Sequence, residues 1–201
     1  MRNAYALLGL TFLIVFGAAY ILFDRAYAPV VDESLTDNTN TTMSLTLTSS
    51  AFGHNETIPP QYTCDGVNAP PPLMVSGVPE EAAALVLVMD DPDIPTEIKE
   101  AQGIEKFDHY VVYNIPPDVT DLSTGVMAGT PGLNSRGDDS YMGPCPPADY
   151  EPTEHRYVFR LYAIKEELMF ENTPTLDEVE AAAKEHVIEQ AELIGKYERQ
   201  Q

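Results

Sequence analysis

The chain has 201 residues, with 32 acidic against 11 basic side chains and a net charge of −21. That length fits one compact domain with accessory segments. So acidic a balance argues against nucleic-acid or anionic-lipid binding, which needs clustered Lys and Arg, and the two cysteines, Cys64 and Cys145, form no metal-binding C-x-x-C spacing.

Ala4 to Phe23 runs twenty residues without a charge, enough for about 30 Å of helix, the thickness of a bilayer core. Residues 1–23 are therefore expected to form a transmembrane anchor. A cleaved signal segment is the alternative, since Ala26-Tyr27-Ala28 has the small-x-small form of a cleavage site; the domain would then be secreted or periplasmic. The run is longer than the about 7–15 residues of a signal core, and Pro29 would follow the cut, so the anchor is favoured. Arg2 before the run and acidic residues after it place the domain on the extracytoplasmic side of the cell membrane. Residues 24–43 are polar, without apolar periodicity, and read as a flexible stalk. Residues 44–201 are long enough for one hydrophobic core.

Within that domain the first strand lies at Ser44–Ser49, where Leu45 and Leu47 alternate with threonines. Pro70-Pro71-Pro72 introduces Leu73-Met74-Val75. Ala83 to Met89 is continuously apolar, as a central strand covered on both faces would be. Tyr110 to Ile115 and Tyr157 to Ile164 are two more strands. Loops rich in Pro and Gly separate them at 91–103, 116–124 and 128–147. Strands joined by such loops, with little helix before residue 170, predict a mainly β sandwich. Thr175-Leu-Asp-Glu178 is a capping box, after which Leu176, Val179, Ala183, Val187, Ala191, Ile194 and Tyr197 recur at helical spacing. One or two helices are expected to close the chain, with a solvated charged face that includes a Glu180–Lys184 pair.

Polar residues at the ends of these apolar rows are the candidates for chemistry. Asp91 continues the Leu85, Leu87, Met89 face, and Asp93 is expected to project to a similar side across Pro92. His109 shares a face, by simple alternation, with Phe107, Val111, Tyr113 and Ile115. His155 and Tyr157 begin the row that continues through Phe159, Leu161 and Ala163. Buried imidazole and phenol groups need partners, so these residues either form a private network or line a pocket. Gly143, in Gly143-Pro144-Cys145-Pro146-Pro147, is expected to let a ligand approach the backbone. Cys64 and Cys145 are either a disulfide, if the domain is outside the cell, or two buried thiols.

Asp91-Pro92-Asp93-Ile94-Pro95, His109-Tyr110-Val111-Val112-Tyr113-Asn114-Ile115-Pro116, the Gly143–Pro147 turn and His155-Arg156-Tyr157-Val158-Phe159 together resemble the phosphatidylethanolamine-binding protein (Raf kinase inhibitor protein-like) family, in its bacterial and archaeal branch. Tyr62-Thr63-Cys64-Asp65-Gly66 and the carboxyl segment His186 to Tyr197 are similar as well. The resemblance implies a Greek-key β-sandwich with a small anion pocket, and carries ligand-binding roles onto Asp91, Asp93, His109, Gly143, Pro144, His155 and Tyr157. Phe107 and Arg136 depart from the family pattern. The implied function is a membrane-anchored module that binds a small anionic or phosphorylated group, as a regulator or inhibitor of a kinase or protease partner, with no cofactor. A nearby carboxylate would either hold a protonated histidine or take a ligand ammonium. The alternatives are a hydrolase using the Asp/His pocket and a structural cell-surface domain.

Overall fold

The computed structural model describes residues 44–122 and 129–199. The expected anchor (1–23) and the stalk (24–43) lie outside the described residues. Among those described, no helix is long and apolar enough to cross a membrane.

The domain is mainly β with a few helices. Its strands are β1 (Thr46–Ser49), β2 (Glu56–Thr57), β3 (Leu73–Ser76), β4 (Ala84–Asp91), β5 (Phe107–Ile115), β6 (Thr130–Pro131), β7 (Glu154–Ile164) and β8 (Val187–Glu198). Helix α1 (Thr96–Gln102) follows β4, and α2 (Leu176–His186) precedes β8. Six strands form one sheet in the order β2-β8-β7-β4-β5-β6, and β1 pairs with β3 in a second, two-stranded sheet. All eight residues of β4 are buried because both faces of the large sheet are covered. On one face Leu85, Leu87 and Met89 pack with Leu45, Leu47, Leu73 and Val75 of the small sheet. On the other, Val86 and Val88 pack with Leu176, Val179 and Ala183 of α2. Each such side chain contributes about 1.5–3 kcal/mol by leaving water.

The capping box forms as expected: Glu178 N–H donates to Thr175 Oγ1 at 3.3 Å, and Thr175 N–H donates to Glu178 Oε2 at 2.8 Å. Glu180 and Lys184 pair at 3.3 Å, but Glu180 is buried and accepts from the Tyr162 hydroxyl at 2.6 Å, so that part of the charged face is not solvated.

Three expectations are corrected. The helical stripe read through Tyr197 stops at His186, and residues 187–198 are a strand pairing antiparallel with β7 along its whole length. The unpaired backbone edge of β7 and the alternating burial of Leu193, Gly195 and Tyr197 outweigh the 3.6-residue pattern. The stretch 91–103, read as a loop, contains α1, which Pro95 starts and Gly103 stops in a left-handed conformation at φ 68°. Finally, β5 does not alternate simply. Tyr110 opposes Met89 while Asp108 opposes Asp90, so His109 is an extra, bulged residue. A second irregularity lies at Asn114, at φ 53°, whose side chain bonds both backbone groups of Leu168 at 2.8 Å. Val111 and Tyr113 consequently face α2, whereas Tyr110, Val112 and Ile115 face the small sheet.

Candidate functional site

β4 runs antiparallel to both neighbours, so its final residue, Asp91, lies between the starts of β5 and β7. This topology brings together residues far apart in sequence. His155 Nδ1 donates to Asp91 Oδ2 at 2.6 Å, and the Asp93 backbone N–H donates to Asp91 Oδ1 at 2.8 Å. The bulge in β5 turns His109 to the same side, where its Nδ1 donates to the Met142 carbonyl at 2.8 Å. The His109 ring meets Tyr157 edge-on at 5.2 Å between centroids and Phe107 at 5.1 Å.

These groups form the floor of a cavity of about 270 Å³. Its walls are largely apolar, with Ile94 and Ile98 on one side and Met142, Pro146 and Pro147 on another; Gln102 and Arg136 complete the lining. His155 Nε2 and the Tyr157 hydroxyl are buried there without a hydrogen-bond partner. The Cys145 backbone amide approaches that hydroxyl without meeting hydrogen-bond geometry.

Burial, reinforced by the Asp91 charge, pushes the Tyr157 phenol far up, so it stays protonated and able to donate. Burial also pushes His109 below the ordinary histidine range, outweighing the opposing pull of the Met142 carbonyl and the Asp91 charge. His109 is therefore neutral near pH 7.

The segment 141–147, which supplies Met142, Gly143, Cys145, Pro146 and Pro147 to the lining, is tied to the turn around Cys64. Tyr141 Oη donates to the Tyr62 carbonyl at 2.9 Å, Gly143 N–H to Asn68 Oδ1 at 2.8 Å, and Cys64 N–H to the Pro144 carbonyl at 3.0 Å. A disulfide joins Cys64 to Cys145, with Cα atoms 5.4 Å apart.

The sequence-predicted residues therefore divide. Asp91, His109, Gly143, His155 and Tyr157 line one cavity. Asp93 and Pro144 are absent from its lining. The Asp93 carboxylate instead accepts from Arg156 Nε and Nη2, both at 2.7 Å, and this hydrogen bonding lowers its pKa. Gly143 is also needed for a different reason from the one expected: a Cβ there would lie 2.4 Å from the Tyr62 carbonyl oxygen, and its N–H is already taken by Asn68. Sequence reasoning missed α1 as a wall, although Pro95 and Gly103 bound it and Ile98 and Gln102, four apart within it, both line the cavity. A broader cleft of about 380 Å³ lies around Lys106, Arg160, Glu180 and Lys184; those charges pair with one another or with Asp90, Asp108 and Asp177.

The sequence profile described as phosphatidylethanolamine-binding protein matches residues 48–198. The chain belongs to this family. It is 41% identical over 154 residues to a UPF0098 protein of Chlamydia trachomatis serovar D, covering 76% of this chain and 98% of that one. It is 40% identical over 162 residues to a UPF0098 protein of the archaeon Methanothermobacter thermautotrophicus, covering 77% and 99%. Among solved structures it is similar to a phosphatidylethanolamine-binding protein homologue of Chlamydia trachomatis, with TM-score 0.71 and 39% identity over 78% of this chain and 99% of that one. The Escherichia coli family member YbcL gives a TM-score of 0.67 at 27% identity with the same coverage.

Proposed function

We propose that the domain is a non-enzymatic binding module whose cavity takes a small anionic ligand, with an oxygen of that ligand meeting His155 and Tyr157. One observation carries this reading: His155 Nε2 and the Tyr157 hydroxyl are buried and unpartnered on residues that line a mainly apolar cavity. Leaving a buried polar group unsatisfied costs about 1–3 kcal/mol, and an incoming oxygen would remove that cost for both. Catalysis by nucleophilic attack is disfavoured, since the cavity lining holds no Ser or Thr and its cysteine is in a disulfide. Both Asp91 oxygens already accept hydrogen bonds, which favours a histidine-positioning role over capture of a ligand ammonium.

In the same reading residues 4–23 hold the module at the cell membrane, with the domain outside, and the module regulates a kinase or protease partner. The support is the uncharged run and Arg2 for the first, and the family resemblance for the second. Calorimetric titration of phosphate and phosphoethanolamine into the wild type and His155→Ala tests the pocket. Losing a hydrogen bond to a charged group costs about 1.5–3 kcal/mol, so the variant should bind roughly tenfold to a hundredfold more weakly. Equal affinity would remove the assignment.

A further inference from the structure

The floor of the cavity offers little net charge for an anion. Asp91 and His155 are occupied with one another through Oδ2 and Nδ1, and burial lowers the pKa of His109, which favours its neutral form. An anion's charge must be met elsewhere, and the remaining charged residue of the lining is Arg136. Among the described residues, Arg156, Arg160 and Arg199 are all paired with carboxylates, and Arg136 alone of the arginines has no ion pair. That is unexpected in a chain of net charge −21, the more so because Asp138 and Asp139 follow on the same loop.

The loop is also built to hold Arg136 in place. Asn134, buried at its base, accepts through Oδ1 from Arg136 N–H at 2.9 Å and from Asp138 N–H at 3.2 Å, and its Nδ2 donates to the Ser140 carbonyl at 3.1 Å. Ser135 exchanges hydrogen bonds with Asp108 on β5: its N–H donates to the Asp108 carbonyl at 3.0 Å, and its Oγ accepts from Asp108 N–H at 2.8 Å. An arginine on a fixed loop forfeits less freedom on binding than one on a loose segment. The same cavity is lined by Ile94, Ile98, Phe107 and Met142, which favour hydrocarbon.

We propose that Arg136 determines the specificity of this site, selecting an organic monoanion whose charged end lies at the rim on the guanidinium. Its apolar body packs against Ile94, Ile98, Phe107 and Met142, and an uncharged oxygen reaches His155 and Tyr157. The inference rests on the cavity being the ligand site, as proposed above. A bare inorganic anion uses only part of such a site.

The test titrates 4-hydroxyphenylacetate as probe, with its uncharged alcohol analogue tyrosol and inorganic phosphate as controls, into wild type, Arg136→Ala, Arg136→Lys and His155→Ala. Arg136 is exposed, so the fold survives its replacement. The expected result is that Arg136→Ala weakens the carboxylate roughly tenfold to a hundredfold and leaves tyrosol unchanged, with Arg136→Lys between. His155→Ala weakens both, and the Arg136 effect shrinks as salt is raised. If Arg136→Ala binds the carboxylate like wild type while His155→Ala does not, the pocket stands and the role of Arg136 falls. Equal losses for acid and alcohol in Arg136→Ala, or phosphate bound more tightly than the carboxylate, also overturn the proposal. If the wild type binds none of the three, the pocket reading fails with it.

Discussion

His155 has a single ring nitrogen left for a ligand, Nε2, because Asp91 holds the other. The Tyr157 hydroxyl beside it has no partner either, and this separates stability from binding. Removing an unsatisfied buried hydroxyl while keeping the ring is neutral or stabilising, so Tyr157→Phe should leave the urea midpoint unchanged or higher while ligand affinity falls. A lower midpoint would mean the hydroxyl is satisfied within the protein. His109 gives a pH prediction. Its folded pKa is depressed by burial, so below about pH 6.5 the unfolded chain takes up a proton that the folded ring resists. Stability is therefore present above that pH and is lost as pH falls toward the folded value. Urea titrations at pH 7.5 and 5.5 should show a smaller drop for His109→Asn than for wild type; equal drops would count against a buried neutral ring. Asp91, His155 and Tyr157 were legible because alternation along one strand places a polar end on an apolar row. The direction of Asp93 was not, since it depends on Arg156, a residue on another strand.

At the level of elements, legibility depended on whether an element's partner is local. The α2 start was readable because a capping box closes within four residues. β8 was not, because its identity comes from the open edge of β7, and Val187 and Ala191 fit a helical stripe as well as a strand. Likewise the two irregularities of β5 leave no mark in its apolar pattern, yet one of them delivers His109 to the cavity. The β8 assignment makes Gly195 a close-packing position: a Cβ there would lie 2.5 Å from Ile58 Cγ1 and 2.8 Å from Phe52. Gly195→Ala should cost roughly 1–3 kcal/mol by overpacking, read as a lower urea midpoint. Were 187–198 helical and exposed, the same change would stabilise.

For the whole molecule, the mainly β fold and the location of the cavity were readable because several motifs recur in family order. The disulfide between Cys64 and Cys145 spans 81 residues, and closing a loop of that size contributes about 4–5 kcal/mol in the chain-entropy model. Cys145→Ser should lose much of that and weaken ligand binding too, since Cys145 lines the cavity; thiol counting on the denatured, unreduced protein should find none free. The proposed anchor predicts that protease added to intact cells removes the domain and leaves a short membrane fragment. Survival of the full-length chain would count against it.

Asp90 and Asp91 are consecutive, both buried, and answer to opposite faces of the sheet. Asp90 meets Arg160 and Lys106 on the α2 side, and Asp91 meets His155 on the cavity side. The preceding residues, Leu85-Val86-Leu87-Val88-Met89, would fill either face almost equally well, so hydrophobicity alone leaves β4 free to slip by one place. A slip of one place toward the start of β4 would carry Asp90 into the apolar position of Met89, away from Arg160 and Lys106, and an uncompensated buried charge costs about 3–5 kcal/mol. The acidic pair thus serves as an alignment key for the central strand, and a chain that has threaded β4 correctly has, by the same choice, set Asp91 against His155 at the cavity.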